Sequence, residues 1–180
     1  AGVMLTLGNA APQRILIVDD DVAIHRVIEK ILTVSRASTE AGTESAERDA
    51  PPSSKTYALS FASSGQDAVT LAERAQRQGT PFKVALVDMR MPGWDGLETV
   101  SRLYKIEPQL QVALCSAYMD YSWQEVLDRL QRPGLRQLRK PWTSGQILAT
   151  VHELCQRALT GTGGMSAFPF SARPSQKAGR

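Results

Sequence analysis

Cysteines, long hydrophobic runs and excess charge of either sign are all scarce in this 180-residue sequence. The only two cysteines, Cys115 and Cys155, lie among apolar residues and lack the spacing of a metal-binding cluster. We therefore expect both thiols to be reduced and buried, as in a cytoplasmic protein. No apolar run approaches the roughly 20 residues that a membrane-spanning helix needs, so we expect no contact with a membrane.

Charge is nearly balanced along the chain. The formal net charge is +3, and residues 160–180 carry three cations and no acid, so the preceding residues hold as many acids as cations. This balance argues against direct binding of nucleic acid. The basic run between Arg129 and Lys140 is interpreted as a solvated face or as a docking surface for an acidic partner. Residues 1–11 contain no charged segment followed by an apolar one, so no signal peptide is expected.

Short apolar runs alternate with amphipathic segments along most of the sequence. The predicted strands are Ile15–Val18, Tyr57–Phe61, Val84–Val87, Val112–Cys115 and the weaker Leu135–Arg139. Short runs rich in β-branched residues are typical of parallel strands that are buried on both faces. Strands that alternate with helices indicate an α/β fold with a parallel sheet and right-handed crossovers.

The first predicted helix follows Asp21, which can cap it. Its apolar stripe consists of Ile24, Val27, Ile28, Ile31 and Leu32, at the spacing of one helix face. His25 lies off this stripe and is predicted to be solvated. Thr143 and Gln146 have the spacing of a capping box at the start of the last helix.

Composition divides the chain into segments. We expect residues 1–12 to be a disordered N-terminal segment and residues 13–159 to form one domain. Residues 34–55 are polar and far exceed the connections of about 2–6 residues that are usual in α/β units. They are predicted to be an insertion, either a disordered loop or an extension of the first helix. The Gly-, Ser- and Pro-containing residues 160–180 are predicted to be a flexible tail or linker.

Polar residues stand directly after the predicted strands. They are Asp19, Asp20 and Asp21 after the first strand, Asp88 after the third, Ser116 after the fourth and Lys140 after the fifth. Parallel strands end at one edge of the sheet, where ligands bind in open α/β folds. Clustered carboxylates repel one another, and Mg²⁺ relieves that repulsion through hard oxygen ligands. A lysine and a hydroxyl beside the metal would hold a phosphoryl group. Asp88 taken alone could merely cap the next turn.

Together these features resemble the receiver domain of two-component response regulators. The matching features are the acidic pair after the first strand, Leu-Val-Asp-x-x-Met-Pro-x-x-Asp-Gly at 86–96, Ser116-Ala117 and Lys140-Pro141. They occur in the order of the family and span residues 13–159. The resemblance implies a flavodoxin-like (βα)5 fold, a doubly wound parallel sheet with the strand order 2-1-3-4-5.

The resemblance also implies roles for individual residues. Asp88 would accept a phosphoryl group from the phosphohistidine of a sensor histidine kinase or a phosphotransfer protein. Asp20 would bind Mg²⁺ directly and Asp19 mainly through water, while Asp88 and the backbone carbonyl of Arg90 would supply further oxygens. Lys140 would pair first with Asp88 and then with the phosphoryl oxygens.

The remaining implied roles concern the output. Ser116 would bind the phosphoryl group and move inward. The switched surface would be the face formed by the fourth helix, the fifth strand and the fifth helix, around residues 118–142. Its partner would be a downstream protein or a cis output domain, and a homodimer is a further option. The activity would be limited to autocatalytic phosphoryl transfer and slow self-dephosphorylation, not that of a dedicated enzyme.

Two positions depart from the family pattern. Gln137 stands where an aromatic switch residue is frequent, and Trp142 stands where phenylalanine is common. Trp142 is predicted to belong to the core or to the output surface. Residues 117–123 are similar to those of receivers that precede kinase or cyclic-dinucleotide output domains, so the chain could be a module of a larger signalling protein.

Other functions remain open at this stage. Asp19 and Asp21 also fit the opening motif of haloacid-dehalogenase-like phosphatases, as nucleophile and acid/base. That family needs an acidic pair after its lysine, whereas only Glu153 follows Lys140. A pseudo-receiver that acts without phosphorylation is a third reading. A DNA-binding regulator is a fourth, but no helix-turn-helix pattern follows residue 159.

Overall fold

Strands and helices alternate through the computed structural model, which describes residues 11–37, 57–117, 121–132 and 134–161. The strands are β1 (Gln13–Val18), β2 (Tyr57–Ala62), β3 (Val84–Asp88), β4 (Gln111–Ser116) and β5 (Arg136–Arg139). The helices are α1 (Val22–Ala37), α2 (Gly65–Arg77), α3 (Gly96–Ile106), α4 (Trp123–Leu130) and α5 (Ser144–Thr160).

The five strands form one sheet in the order β2-β1-β3-β4-β5, and every neighbouring pair is parallel. This confirms the flavodoxin-like (βα)5 fold and its predicted strand order. Every residue of β3 and β4 is buried, as the short apolar runs indicated. Because chain order reverses between β1 and β3, the ends of these two strands border the crevice in which open α/β sheets bind ligands.

Helices cover both faces of the sheet, and alternate residues of each strand pack into opposite layers. Leu16 and Val18 face the layer that contains α2, α3 and α4, whereas Ile15 and Ile17 face the layer that contains α1 and α5. Cys115 and Cys155 are both buried, as predicted from their apolar neighbours. The division into two layers is a direct consequence of the two-residue period of the strands.

The inward face of α1 differs from the predicted stripe. Ile28 and Leu32 are buried as expected, but Val27 is 48% exposed. The prediction that His25 is solvated was wrong, because its ring is buried and lies 5.2 Å from the ring of Phe61. Positions 25, 28 and 32 share one face of the helix, so a polar residue occupies a core position that hydropathy alone does not assign to it.

Helix termini follow the predicted caps. Thr143 and Gln146 form the capping box of α5, and the Asp21 carboxylate accepts a hydrogen bond of 2.8 Å from the amide of Ala23 in the first turn of α1. Helix α1 continues to Ala37, inside the segment predicted as an insertion.

The predicted N-terminal segment, insertion and tail lie mostly outside the residues that the structure describes. Residues 38–56 of the insertion region, 1–10 of the N-terminal segment and 162–180 of the tail lie outside the described residues. No helix in the described ranges is both long and apolar enough to cross a membrane.

Gly65→Ala is expected to lower the free energy of unfolding by about 1–3 kcal/mol, the usual cost of overpacking a core. Gly65 is buried where α2 meets α3, and an added Cβ would overlap Thr99 Oγ1 and lie 3.1 Å from the Cβ of Trp94. Denaturant unfolding measures the loss.

Gly145→Ala in the first turn of α5 is the matched control. Its Cβ would meet only Thr143 Oγ1, at 3.9 Å, so this change should stabilise the protein by about 0.4–1 kcal/mol. Equal effects of the two substitutions would contradict the close packing of α2 on α3.

Candidate functional site

Three carboxylates meet where β1 and β3 end. Asp19 and Asp20 directly follow β1, and Asp88 is the last residue of β3. One oxygen from each of the three lies within 4.8 Å of the others. Asp19 and Asp88 are buried, whereas Asp20 is exposed. The parallel sheet thus brings together acids that are 68 residues apart in the sequence, as the strand pattern predicted.

Backbone groups fix the orientation of the two buried carboxylates. Asp19 Oδ1 accepts a hydrogen bond of 2.9 Å from the amide of Asp21. Asp88 Oδ2 accepts one of 3.1 Å from the amide of Arg90. Each carboxylate is therefore held by the turn that follows its own strand. The predicted role of the Arg90 carbonyl as a metal ligand stays a prediction.

The N-terminus of α3 lies directly against the backbone of Asp88. The amide of Gly96 donates a hydrogen bond of 2.9 Å to the carbonyl of Met89. A Cβ on Gly96 would come within 2.5 Å of the Asp88 carbonyl oxygen and 2.8 Å of the Met89 Cα. The glycine of the 86–96 motif is therefore required by the close approach of helix and strand, with Asp95 as the N-cap of the helix.

Lys140 connects β5 to the acidic cluster. Its Nζ donates hydrogen bonds of 2.8 Å to Asp19 Oδ2 and of 2.6 Å to Asp88 Oδ1. Its backbone amide donates one of 2.8 Å to the carbonyl of Ser116 at the end of β4. The lysine side chain is 20% exposed, so the two ion pairs are well shielded from solvent. The predicted pairing of Lys140 with Asp88 is present, and the second pairing, with Asp19, was not predicted.

Burial and the ion pairs shift the pKa values at this site in definable directions. Burial raises the pKa of the Asp88 carboxyl, and the hydrogen bond and charge of Lys140 offset this only in part. Burial alone would lower the pKa of Lys140, but hydrogen bonds to Asp19 and Asp88 outweigh it and raise that pKa. Lys140 therefore stays protonated, while ionisation of Asp88 costs free energy.

Ser116, the remaining predicted site residue, is buried at the end of β4. Asp88 pairs in register with Cys115, the residue before Ser116. On the other side, Ser116 pairs with Arg139, the residue before Lys140. Ser116 therefore occupies the strand end between Asp88 and Lys140.

The donor set fits a hard divalent cation. Three carboxylates within reach of one point offer the oxygen ligands that Mg²⁺ prefers, and the exposed Asp20 leaves room for the coordinated waters that Mg²⁺ usually retains. Repulsion between the Asp19 and Asp88 charges contributes to the raised pKa of Asp88. A bound cation would relieve that repulsion.

Contacts between cations and aromatic rings around the site were not predicted. Arg129 lies over the ring of Tyr121 at 4.5 Å, and Arg132 lies over Tyr104 at 4.6 Å. The hydroxyl of Tyr121 is 3.4 Å from Asp95 Oδ2, so it connects the segment before α4 to the N-cap of α3. These arginines belong to the basic run that was interpreted as a solvated face or docking surface. In the sequence, these contacts are indicated only by basic and aromatic residues that occur near one another. That proximity does not show which arginine packs on which ring.

Comparison with known proteins identifies the family. Residues 52–152 match the family described as response regulator receiver domain, which covers more than half of the chain. The chain belongs to this family. The matched residues begin after β1 and therefore do not include Asp19 and Asp20. The evidence that these two residues belong to the site is their position beside Asp88 in the structure. No curated protein matches the sequence.

Solved structures share the receiver fold. A CheY-like receiver domain from Methanospirillum hungatei JF-1 is 20% identical, with a TM-score of 0.63, over 84% of this chain and 99% of that one. The receiver domain of an HD domain-containing protein from Pseudomonas fluorescens Pf-5 is 18% identical, with a TM-score of 0.60, over 83% of this chain and 98% of that one. A CheX–CheY–BeF3–Mg complex from Borrelia burgdorferi is 19% identical, with a TM-score of 0.58, over 80% of this chain and 90% of that one. Such identities support the fold alone.

The family assignment replaces the phosphatase interpretation of the acids after β1. In that interpretation Asp21 would be an acid/base catalyst, yet in this receiver domain its carboxylate accepts a hydrogen bond from the first turn of α1. Asp88 would have no part in such a phosphatase, whereas here it is hydrogen-bonded to Lys140. Helix capping therefore accounts for Asp21.

Asp88→Asn is expected to raise the free energy of unfolding of the metal-free protein at pH 7. A raised folded-state pKa means that the folded protein binds this proton more tightly than the unfolded chain does. Ionisation of Asp88 therefore costs stability as the pH rises above the unfolded value of about 3.8. The uncharged amide removes that cost, and Lys140 keeps its partner Asp19.

Urea unfolding at pH 7 and pH 3 in the presence of a chelator tests this prediction. The gain should disappear at pH 3, where the carboxyl is protonated in both states. The exposed Asp128→Asn on α4 is the control and should change the free energy of unfolding by less than about 0.5 kcal/mol. A loss of stability in Asp88→Asn at pH 7 would contradict the raised pKa.

Proposed function

We propose that this receiver domain accepts a phosphoryl group on Asp88 from the phosphohistidine of a sensor histidine kinase or a phosphotransfer protein. The supporting observation is the Lys140 ammonium, which bridges Asp88 and Asp19 at the edge of the sheet. A cation held beside a carboxylate that is costly to ionise is suited to receive the charge of an arriving phosphoryl group.

The chemistry is an in-line phosphoryl transfer. An oxygen of Asp88 attacks phosphorus, the bond between phosphorus and the imidazole nitrogen breaks, and the electron pair of that bond leaves with the imidazole. The product is an acyl phosphate, which water later hydrolyses to return the carboxylate and inorganic phosphate. Positioning and neutralisation of charge carry most of the catalysis in such transfers.

The residues of the site divide this work. Lys140 moves from the Asp88 carboxylate to the phosphoryl oxygens, while Ser116, at the neighbouring strand end, donates a hydrogen bond to the same group. Asp19, Asp20, Asp88 and the Arg90 carbonyl would hold Mg²⁺, which supplies positive charge opposite the phosphoryl oxygens. The domain is thus a switch with slow self-dephosphorylation.

We further propose that the signal leaves through the face formed by α4, β5 and α5. The segment after Ser116 leads to Tyr121, whose hydroxyl faces Asp95 and whose ring lies under Arg129 on α4. An inward movement of Ser116 would pull on this contact and shift α4 relative to α3. Tyr121 thereby takes over the coupling that the family often gives to an aromatic residue at the position of Gln137.

The partner on this face is a downstream protein or an output domain in cis, in line with two similar structures. One is the receiver of an HD domain-containing protein, and the other is a CheY in complex with CheX, BeF3 and Mg²⁺. A homodimer through the same face is a further form of output. Phosphorylation regulates such contacts if the two arrangements of α4 differ by only a few kcal/mol.

Asp88→Asn should abolish labelling of the protein by acetyl phosphate and Mg²⁺, because it removes the attacking oxygen. Lys140→Met should slow labelling by about 100- to 1,000-fold, the range expected when one charge-stabilising group is lost. Intact-protein mass spectrometry measures the phosphoryl mass.

Asp21→Asn is the control for this experiment, because Asp21 caps α1 and should leave labelling nearly unchanged. Undiminished labelling of Asp88→Asn would refute the assignment of the phosphoacceptor. Failure of the wild-type protein to label at all would favour the pseudo-receiver.

Tyr121→Phe should weaken the coupling between the phosphoacceptor and the output face, because it removes the hydroxyl while the ring keeps its contact with Arg129. The lost hydrogen bond is worth at most about 1 kcal/mol. Amide exchange near Asp95 should therefore accelerate by up to about five-fold. The response of residues 121–142 to beryllofluoride should also shrink.

Tyr104→Phe is the matched control, since it removes one hydroxyl from another ring that is stacked under an arginine. It should leave the response to beryllofluoride unchanged. If residues 121–142 of the wild-type protein do not respond while Asp88 is saturated with beryllofluoride, the α4–β5–α5 face is not the output surface.

A further inference from the structure

Trp142 lies beside the lysine of the site. It follows Lys140 by two residues, is half-buried and packs against the core layer of α1 and α5. The centroid of its ring is 5.2 Å from Lys140 Nζ, a distance at which an ammonium is attracted to the face of an indole. Among the described residues, the Lys140 ammonium contacts two carboxylates and one aromatic ring.

Lys140 and the Trp142 indole lie beside a groove at the surface of the protein. Lys140 and Trp142 line an open apolar groove of about 420 Å³ together with residues of α1, among them Ile24 and Val27. Lysine has a long flexible stem and a strongly hydrated head group. The Lys140 side chain is 20% exposed, and the indole lies beside its ammonium where the lysine lines this groove.

We infer that Trp142 is a positioning residue that holds the Lys140 ammonium between Asp19 and Asp88, ready for the phosphoryl oxygens. This inference rests on the proposed function for its catalytic consequence but not for the contact itself. Trp142 touches no reacting atom and acts through the lysine. The family pattern of phenylalanine at this position would give a weaker contact, because indole is the best of the aromatic partners for a cation.

Packing alone is the competing explanation for Trp142. Both explanations predict a graded loss, because side-chain volume also falls from Trp to Phe to Leu, so the dependence of the loss on Lys140 is what separates them. Phenylalanine and leucine both retain apolar bulk, but only phenylalanine retains a π face. A positioning role predicts that function falls in the order Trp, Phe, Leu. A packing role predicts losses that follow buried volume and are indifferent to Lys140.

The first experiment is a double-mutant cycle on stability that needs no phosphorylation. Urea unfolding is measured for the wild type, Trp142→Leu, Lys140→Met and the double variant. The loss caused by Trp142→Leu should be clearly smaller in the Lys140→Met background, because the cation is already absent. Equal losses in both backgrounds would overturn the contact between Lys140 and the indole.

The second experiment measures beryllofluoride affinity in the presence of saturating Mg²⁺. Trp142→Leu should bind beryllofluoride about 3- to 10-fold more weakly than the wild type, with Trp142→Phe between them, in line with measured cation–π strengths. Leu71→Ala is the control, because Leu71 on α2 is also partly buried but packs in the opposite layer and lies outside the α4–β5–α5 face. It should leave the affinity unchanged.

The two experiments separate failure of this inference from failure of the proposed function. If the cycle shows coupling but the wild type binds no beryllofluoride, the proposed phosphoacceptor fails and the contact stands as a structural one. If the wild type binds beryllofluoride and Trp142→Leu binds it equally well, Trp142 does not position Lys140, and the inference is overturned.

Discussion

The Lys140 ammonium shared by Asp19 and Asp88 is the interaction on which the site depends. Two carboxylates buried at adjacent strand ends would repel each other and lose hydration. A single cation from β5 supplies the compensating charge and reaches across the end of β4 to do so. Because the three residues come from three strands, the site exists only when the sheet is assembled in its correct order.

The compensation of charge at Asp88 is incomplete. The pKa of Asp88 remains raised although Lys140 is hydrogen-bonded to it. The protein therefore retains an electrostatic cost at one buried carboxylate, as functional sites often do at the expense of stability. A metal ion, or a phosphoryl group that draws Lys140 away, changes this balance of charge. Under the proposed function, the site would respond to ligands of either sign of charge.

Two aromatic residues, Trp142 and Tyr121, make side-chain contacts at or near the site. Trp142 contacts the lysine of the site, and Tyr121 joins the segment before α4 to the N-cap of α3. The two rings lie on opposite sides of the sheet, since Trp142 packs with α1 and α5 and Tyr121 with α2, α3 and α4. Aromatic contacts therefore connect the edge of the sheet to both helical layers.

The sequence by itself determined the fold and most of the site. Short apolar runs followed by Asp19, Asp88, Ser116 and Lys140 predicted a parallel sheet with these residues at one edge, because parallel strands end at one edge of the sheet. The strand order came from the resemblance to the receiver family. The family match to residues 52–152 agrees with the fold but begins after the first acidic pair. The capping box of Thr143 and Gln146 was predicted as well, since a helix cap depends on residues only three positions apart.

Only the tertiary structure decided which side chains touch. The burial of His25, the exposure of Val27 and the second partner of Lys140 depend on how α1 and β5 are oriented against their neighbours. Periodicity gives the faces of a helix but not its rotation about its own axis on the sheet. Contacts such as that of Lys140 with Trp142 depend on side-chain direction over a few ångströms, and residue order does not encode that distance.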